Sequence, residues 1–382
     1  MKKRLGHFFL VSLLLGACSS VVIAGDPLEQ TGKLSHEIED ETVFEIKGSR
    51  NINGTIGIIS HDGDGIEVSY KKWARAETES QAQRFLDLID LRLQTVDPDR
   101  VSLSILAPAD APWGGTNYQV SLEVYVQLPE KMRIEGRTQF MALDIRGSFK
   151  GIDFKSEFSN IDIQGLDGPV NVITSFAAIE LSDIAGSILA ETRYGAIQAT
   201  DIKVPLGSAI FKNTGGTIML SDIEGPVEAY TSYSAIEATD IDAAEGSIVL
   251  RTSYSPITVE DVSGELICET SFSSIDIEDC ALTHGQSKIE TSYSPISAML
   301  SNINGSQLFI YNNYNNISLS IPYDISSQIV ATVDQGGRIH TANLPVKPTY
   351  LDITRLEGYL GDGQGRIELK VSGIGKIDIE GR

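Results

Sequence analysis

The hexapeptide TSYSPI occurs twice in this chain, at Thr252–Ile257 and at Thr291–Ile296. Close variants stand at 174–179, 231–236 and 270–275, where they read TSFAAI, TSYSAI and TSFSSI. The apolar residue that closes each copy recurs at gaps of 18 or 21 residues. These closing positions are Leu143, Ile161, Ile179, Ile197, Ile218, Ile236, Ile257, Ile275, Ile296 and Ile317. A repeat of this length is typical of a solenoid, in which each copy contacts its neighbours.

Within a copy, apolar and polar residues alternate with a period of two, which indicates strands rather than helices. In the copy 247–261, Ile248 and Leu250 share one face, and Ser255-Pro256 then interrupts the alternation. A second corner follows at 261–264, where Gly264 closes the turn. The sequence therefore predicts an all-β, single-stranded parallel β-helix whose copies stack about 4.8 Å apart.

An aromatic residue lies three positions before most closing residues, so stacked copies would align these rings in a column. Tyr254 has the same parity as Ile248 and Leu250, and we therefore expect the rings to face the core. The alternative is an outward stripe on which sugars stack. The predicted column contains Phe140, Phe158, Phe176, Tyr194, Tyr233, Tyr254, Phe272, Tyr293 and Tyr314, with Gly215 at its one gap.

An aspartate follows the closing residue by four positions in six copies, namely Asp183, Asp201, Asp222, Asp240, Asp261 and Asp279. A catalytic pair of carboxylates would be local, whereas this residue recurs along the chain, so we expect it to cap turn amides. A calcium ladder and a polysaccharide-cleaving acid pair are the alternatives. The five histidines show neither metal-site spacing nor a Ser-His-Asp order. We predict no catalytic, cofactor-binding or metal-binding residue.

Two cysteines occur within the repeats. Cys268 stands where other copies have Leu250 or Ile289, and Cys280 stands where others have Ile184 or Ile241. Both positions are predicted to face inward, where a free cysteine acts as a small apolar side chain. A disulfide between the two is the alternative.

The N-terminus has the features of an export signal, with Lys2, Lys3 and Arg4 before an apolar stretch too short to span a membrane. The segment 15–18 reads LGAC and resembles the bacterial lipobox. That resemblance implies a signal peptide at 1–17, a diacylglycerol on Cys18, and sorting to the outer membrane because Ser19 follows. The alternative is an ordinary signal cleaved after Ala24, which leaves a periplasmic or secreted protein.

The distribution of apolar and polar residues divides the rest of the chain into segments. We predict a polar tether at 18–38 and an N-terminal β region at 39–135. Apolar residues spaced by three and four predict an amphipathic helix at 77–96, which would cover the open end of the stack. Regular copies follow at 136–322, and degenerate copies at 323–382.

The net charge is −22, and it becomes −25 when the three cations of the signal peptide leave. A surface this acidic repels nucleic acid, because phosphate binding needs clustered lysine and arginine. The expected partners are the membrane, through the N-terminal lipid, and a glycan or an envelope protein.

The segments NINGTIGI (51–58) and DGDGIEV (62–68), the inserted helix, and copies such as ETSYSPI (290–296) with DVSG (261–264) carry a family resemblance. The chain resembles the putative adhesin, β-strand-repeat domain of unknown function of bacterial envelope proteins. Many members have Gly-Asp after the aromatic residue, which this chain lacks. The resemblance implies a right-handed parallel β-helix without known catalytic residues. We expect a non-catalytic, adhesin-like envelope lipoprotein; the alternative is a polysaccharide lyase or hydrolase.

Overall fold

The computed structural model describes residues 26–39, 42–114, 118–303 and 305–382. These residues form 31 strands and one helix, and every strand belongs to one hydrogen-bonded sheet. The predicted all-β class is therefore confirmed. No helix in these ranges is long and apolar enough to cross a bilayer. The predicted signal peptide, Cys18 and Ser19 lie outside the described residues.

The regular copies contribute two series of parallel, hydrogen-bonded strands. Alternate side chains of each strand point into a common core. The closing residues lie directly beside one another: Ile161 pairs with Ile179, which pairs with Ile197. This register confirms the period read from the sequence. The strands are β8 Arg133–Arg137, β9 Met141–Arg146, β10 Ile152–Lys155, β11 Ile161–Asp167, β12 Val170–Ile173, β13 Ile179–Ala185, β14 Ile188–Glu191, β15 Ile197–Lys203, β16 Ala209–Lys212, β17 Ile218–Glu224, β18 Val227–Tyr230, β19 Ile236–Arg251, β20 Ile257–Glu269, β21 Ile275–Ala281, β22 Gln286–Thr291, β23 Ile296–Asn302, β24 Gln307–Asn312 and β25 Ile317–Ile321.

At the N-terminal end the copies do not follow chain order. The elements are β1 Leu28–Glu37, β2 Val43–Lys47, β3 Asn53–His61, β4 Gly65–Arg75, α1 Glu79–Asp87, β5 Asp90–Asp97, β6 Arg100–Leu106 and β7 Gln119–Pro129. Strand β2 pairs in parallel with both β6 and β8, and β3 pairs with both β7 and β9. The copy formed by β2 and β3 therefore lies between a later copy and the first regular one. Antiparallel β5, β4 and β1 continue the sheet beyond it.

The C-terminal end shows the same interchange. Its strands are β26 Ser327–Val333, β27 Arg338–Ala342, β28 Lys347–Leu351, β29 Arg355–Leu360, β30 Gly365–Val371 and β31 Lys376–Gly381. The last copy consists of β30 and β31. Strand β30 lies between β24 and β26, and β31 lies between β25 and β27. Antiparallel β29 and β28 then extend the edge. Antiparallel strands thus continue the sheet beyond the interchanged copy at both ends.

The helix predicted at 77–96 is shorter than expected. It begins after Thr78, whose hydroxyl accepts a hydrogen bond from the amide of Gln81 at 3.2 Å, and it ends at Asp87. The ammonium of Lys72 reaches the carbonyl of Ile89 at 2.6 Å just after the last turn. The next residues form β5, in which the side chains of Leu91 and Leu93 alternate against β6. Burial lowers the pKa of Lys72 below its usual value.

The predicted tether at 18–38 is also wrong for the residues described. Leu28–Glu37 is strand β1, which pairs antiparallel with β4 over its whole length. From Gly32 to Glu37, residues of intermediate burial alternate with exposed ones, and Leu34 packs against the core. The segment looked polar because only one of its faces meets the protein.

Candidate functional site

The predicted aromatic column exists as a stack of rings. Neighbouring ring centroids lie 4.9 to 5.3 Å apart, and neighbouring planes differ by 16° or less. We call this stack the aromatic ladder. Its members are Phe140, Phe158, Phe176, Tyr194, Tyr233, Tyr254, Phe272, Tyr293 and Tyr314. Stacking of aligned aromatic rings adds stability beyond the area that each ring buries.

The ladder faces solvent, and the expectation that it lies in the core is wrong. The side chains from Phe158 to Tyr314 are between 42% and 64% exposed. The reason lies in the backbone: β19 ends at Arg251, and the residues 252–256 bend around a corner. Alternation with a period of two holds only inside a strand. Thr252 is buried, the chain then turns, and Tyr254 points outward.

Buried threonines fix the corner that carries each ring. The hydroxyl of Thr291 donates to the carbonyl of Ser273 at 2.9 Å, and Thr192 donates to Ala177 at 3.1 Å. The bonds therefore join a threonine to a carbonyl of the preceding copy, rather than one hydroxyl to another. The amide of Tyr254 also donates to the carbonyl of Ser232 at 3.1 Å. The same kind of amide bond to the preceding copy is made by Phe158, Phe176, Tyr194, Tyr233, Phe272 and Tyr314.

The flanks of the ladder are almost uncharged. From Phe176 to Tyr314, the residue before each ring and the two after it are serine, threonine, alanine, glycine, asparagine or proline, with Arg193 as the exception. The chain as a whole carries 52 acidic and 30 basic residues. The ladder is thus an apolar stripe whose chain neighbours carry mainly hydroxyl and amide groups. The ion pairs of Glu269 with Arg251 and Lys288 lie beside its serines.

The six aspartates of the second column share an unusual backbone conformation. Their φ angles lie between 51° and 55°, in the left-handed region. Glycine takes the same place in the preceding copy, where Gly165 has φ of 77°. Among the described contacts, no carboxylate of this column accepts a turn amide, and Asp279 instead accepts from Arg382 at 2.8 Å. The expectation of amide capping is therefore wrong, and the position selects aspartate because it tolerates this conformation.

Five of these aspartates line an open groove of about 800 Å³, together with Lys203, which pairs with Glu224 at 3.4 Å. No cluster of three or more His, Cys, Asp or Glu residues that could hold a metal ion is found within the described ranges. The absence of a tight calcium site stays a prediction. The groove repeats one carboxylate from copy to copy, and Asp167, Glu224 and Asp242 add further carboxylates to its lining.

A second cavity of about 630 Å³ lies near the N-terminal end. Leu34, Ile59, Glu67 and Tyr125 line it, and so does Arg146, whose guanidinium bonds Asp162 at 2.5 Å. No local sequence pattern predicts this cavity, because it forms where β1, β3, β4 and β7 meet out of chain order.

Cys268 and Cys280 are buried and free, as their positions in the repeat predict. Burial raises the pKa of the Cys268 thiol well above its usual value and that of Cys280 to about 12. Both thiols therefore stay protonated and unreactive in the folded chain.

Neither a protein-family model nor a curated protein matches this chain. Several solved structures are similar to it at low identity. A putative cell adhesion protein from Clostridium sporogenes is 8% identical with a TM-score of 0.18, over 92% of this chain and 100% of its own. A putative adhesin from Bacteroides fragilis is 9% identical with a TM-score of 0.22, over 92% and 97%. A putative lipid binding protein from Parabacteroides distasonis is 9% identical with a TM-score of 0.24, over 76% and 95%. Scores this low establish neither a shared fold nor a shared function.

Proposed function

We propose that this protein is a non-catalytic, adhesin-like lipoprotein of the cell envelope whose aromatic ladder binds a neutral glycan. The observation that carries the proposal is the exposure of the ladder. Eight rings of the ladder, from Phe158 to Tyr314, are exposed, although burial of each would have added stability. A contiguous exposed apolar stripe of this kind marks an interaction surface.

The chemistry around the rings favours a glycan over a protein or a nucleic acid. A neutral sugar chain offers apolar C–H edges and many hydroxyls. The ladder offers apolar ring edges, tyrosine hydroxyls and flanking serines such as Ser253 and Ser292. An acidic partner is disfavoured by the net charge of −22.

The parallel ladders support the finer description of the fold as a right-handed, single-stranded β-helix. Register is kept from Ile134 to Ile321 with few irregularities, so the rings are held at nearly constant spacing. A rigid surface loses little conformational entropy on binding. Lipid on Cys18 would tether this surface to the outer membrane.

The experiment compares retention of the purified chain in gels that contain neutral polysaccharides. The variant Phe272→Ser with Tyr293→Ser removes two neighbouring rings that are half exposed. The matched control, Tyr350→Ser, removes an equally exposed ring from β28, outside the ladder. We expect the wild type and the control to be retained by at least one polysaccharide and the double variant to be retained more weakly.

Equal retention of all three proteins would overturn the proposal. Release of reducing sugar or unsaturated sugar from the polysaccharide would instead favour the lyase or hydrolase alternative. Binding to an envelope protein extract, without any polysaccharide binding, would replace the glycan with a protein partner.

A further inference from the structure

The aromatic ladder is interrupted at one place, where Gly215 occupies the position of a ring. The ladder consequently consists of two runs, Phe140 to Tyr194 and Tyr233 to Tyr314. The copy that holds Gly215 is in place between them: the amide of Gly215 donates to the carbonyl of Arg193 at 2.7 Å, and the amide of Tyr233 donates to that of Thr214 at 3.0 Å. Only the side chain is missing.

The backbone does not require glycine at this position. The φ angle of Gly215 lies outside the left-handed region, and an added Cβ would meet Cδ1 of Tyr194 at 3.4 Å, an ordinary contact. The next residue is different, because a Cβ at Gly216 would lie 1.9 Å from the carbonyl oxygen of Gly195. Gly216 is thus demanded by packing, whereas Gly215 is not.

The local turn does not require it either. In this copy Asn213 replaces the buried threonine, and its side-chain oxygen accepts from the amides of Gly215 and Gly216 at 3.2 and 2.9 Å. Asn312 makes the same pair of bonds, to the amides of Tyr314 and Asn315 at 3.2 and 3.0 Å. There the ring position is occupied by tyrosine. The asparagine turn is therefore compatible with a ring.

The interruption uncovers ring faces. Inside a run, each face is covered by the next ring, so the ladder presents only edges to solvent. Tyr194 and Tyr233 border the gap and are 62% and 64% exposed, the highest values among the ladder rings from Phe158 to Tyr314. Two strand spacings of ~4.8 Å separate the two copies, so the rings lie about 10 Å apart. One ring inserted midway would have the spacing found elsewhere in the ladder.

We propose that the gap at Gly215 is a slot for a single six-membered sugar ring of a neutral glycan, held between the faces of Tyr194 and Tyr233. The proposal rests on the proposed function and names the subsite that binds one sugar ring of the glycan. A pyranose has two apolar faces of C–H groups, so it can contact both tyrosines at once, and aromatic side chains with few polar groups are typical of ligand sites. The two phenol hydroxyls and the hydroxyl of Thr214 can bond its rim.

The test is calorimetric titration of the purified chain with three neutral probes: cellohexaose, maltohexaose and the N-acetylated chitohexaose. Gly215→Tyr completes the ladder and fills the slot. We expect it to weaken binding of the preferred hexasaccharide by about tenfold or more, because the inserted ring covers the faces of both Tyr194 and Tyr233. Gly215→Ala adds a Cβ without a ring and should bind within about threefold of the wild type. Unfolding midpoints check that both variants are folded.

A second variant tests the slot by creating another gap of the same kind, which should bind a second sugar chain. Tyr254→Gly opens a gap of the same width between Tyr233 and Phe272, and we expect the stoichiometry to rise from one to two hexasaccharides per chain. Unchanged affinity in Gly215→Tyr, or a stoichiometry that stays at one in Tyr254→Gly, would overturn the slot.

The outcomes separate this inference from the function on which it rests. If the double ladder variant loses polysaccharide retention while Gly215→Tyr keeps both retention and hexasaccharide affinity, the ladder binds glycan through its edges and the slot is wrong. If the wild type binds no polysaccharide and no hexasaccharide, the proposed function is wrong and the slot with it.

Discussion

The ring of Tyr254 stacks on the ring of Phe272 with 5.1 Å between centroids and 4° between planes, yet half of each side chain remains in solvent. The two residues are neighbours across copies rather than along one strand. Their contact combines the order of a core with the exposure of a surface. This combination decides how much the ladder contributes to stability.

Replacing one ladder ring should cost little. Tyr254→Ala removes two stacked contacts, to Tyr233 and Phe272, and we expect the free energy of unfolding to fall by ~1–2 kcal/mol. Phe211 is fully buried, and Phe211→Ala should cost ~3–5 kcal/mol. Urea unfolding followed by circular dichroism measures both. Equal losses in the two variants would mean that the ladder is part of the core.

The aspartate column should be sensitive to backbone preference rather than to charge. Asp201 has φ of 54°, so Asp201→Gly and Asp201→Asn should keep the stability of the wild type, whereas Asp201→Val should lose ~1–2 kcal/mol. Gln198→Val is the control, because Gln198 is exposed in the interior of β15. Urea midpoints give the comparison. A large loss in Asp201→Asn would instead assign a role to the carboxylate charge.

The buried thiols predict a pH dependence of stability. The pKa of Cys280 rises from a usual value of 9.0 to about 12, and that of Cys268 also rises. The folded state therefore holds these protons more tightly than the unfolded chain. Their contribution to stability is complete below about pH 9 and is lost as the pH rises towards 12.

Thiol labelling provides the readout, in a chain with Cys18→Ala. We expect no labelling of the folded protein at pH 8 and two thiols per chain after denaturation. The double variant Cys268→Ala with Cys280→Ala should lose less stability than the wild type between pH 9 and pH 10.5. Labelling of the native protein at the rate of a free thiol would contradict the burial of these residues.

The lipid anchor is tested by fractionation. Cys18→Ala should move the protein from the membrane fraction to the soluble fraction, because several acyl chains on one residue are needed for stable anchoring. Ser19→Ala is the control and should stay in the membrane. A mature N-terminus at Gly25 would support ordinary signal cleavage instead.

The repeat could be predicted from the sequence because it appears as a regular spacing of apolar residues along the chain. The closing residues Ile161, Ile179 and Ile197 pair as the period requires, and Cys268 and Cys280 take the inward positions of their copies. Each of these features depends only on alternation within a strand. The direction of the aromatic ladder was missed because it depends on the corner, where alternation stops. Parity was carried forwards from Leu250 past Arg251, where the strand ends, and the visible interruption at Pro256 comes only after Tyr254.

The ends were predicted less well because their structure depends on pairing between distant segments. Ile89 and Leu93 fit a helical pattern, but Leu93 belongs to β5 and is paired with Leu103. Nothing in the local pattern of β2 indicates that it lies between β6 and β8. The site at Gly215 could have been found from the sequence as the one gap in a regular column, but its openness required the outward direction of the rings.

The interchanged copies at both ends restrict how the chain can change in length. A repeat added at either terminus could not pair with β2 or β30, since each of these strands already has a partner on both sides. A duplication inside the regular copies meets no such restriction. Duplicating residues 252–290, one 21-residue and one 18-residue copy, would add two rings to the second run and leave both locked ends unchanged. Internal duplication would thus lengthen the aromatic ladder while the gap at Gly215 stays single.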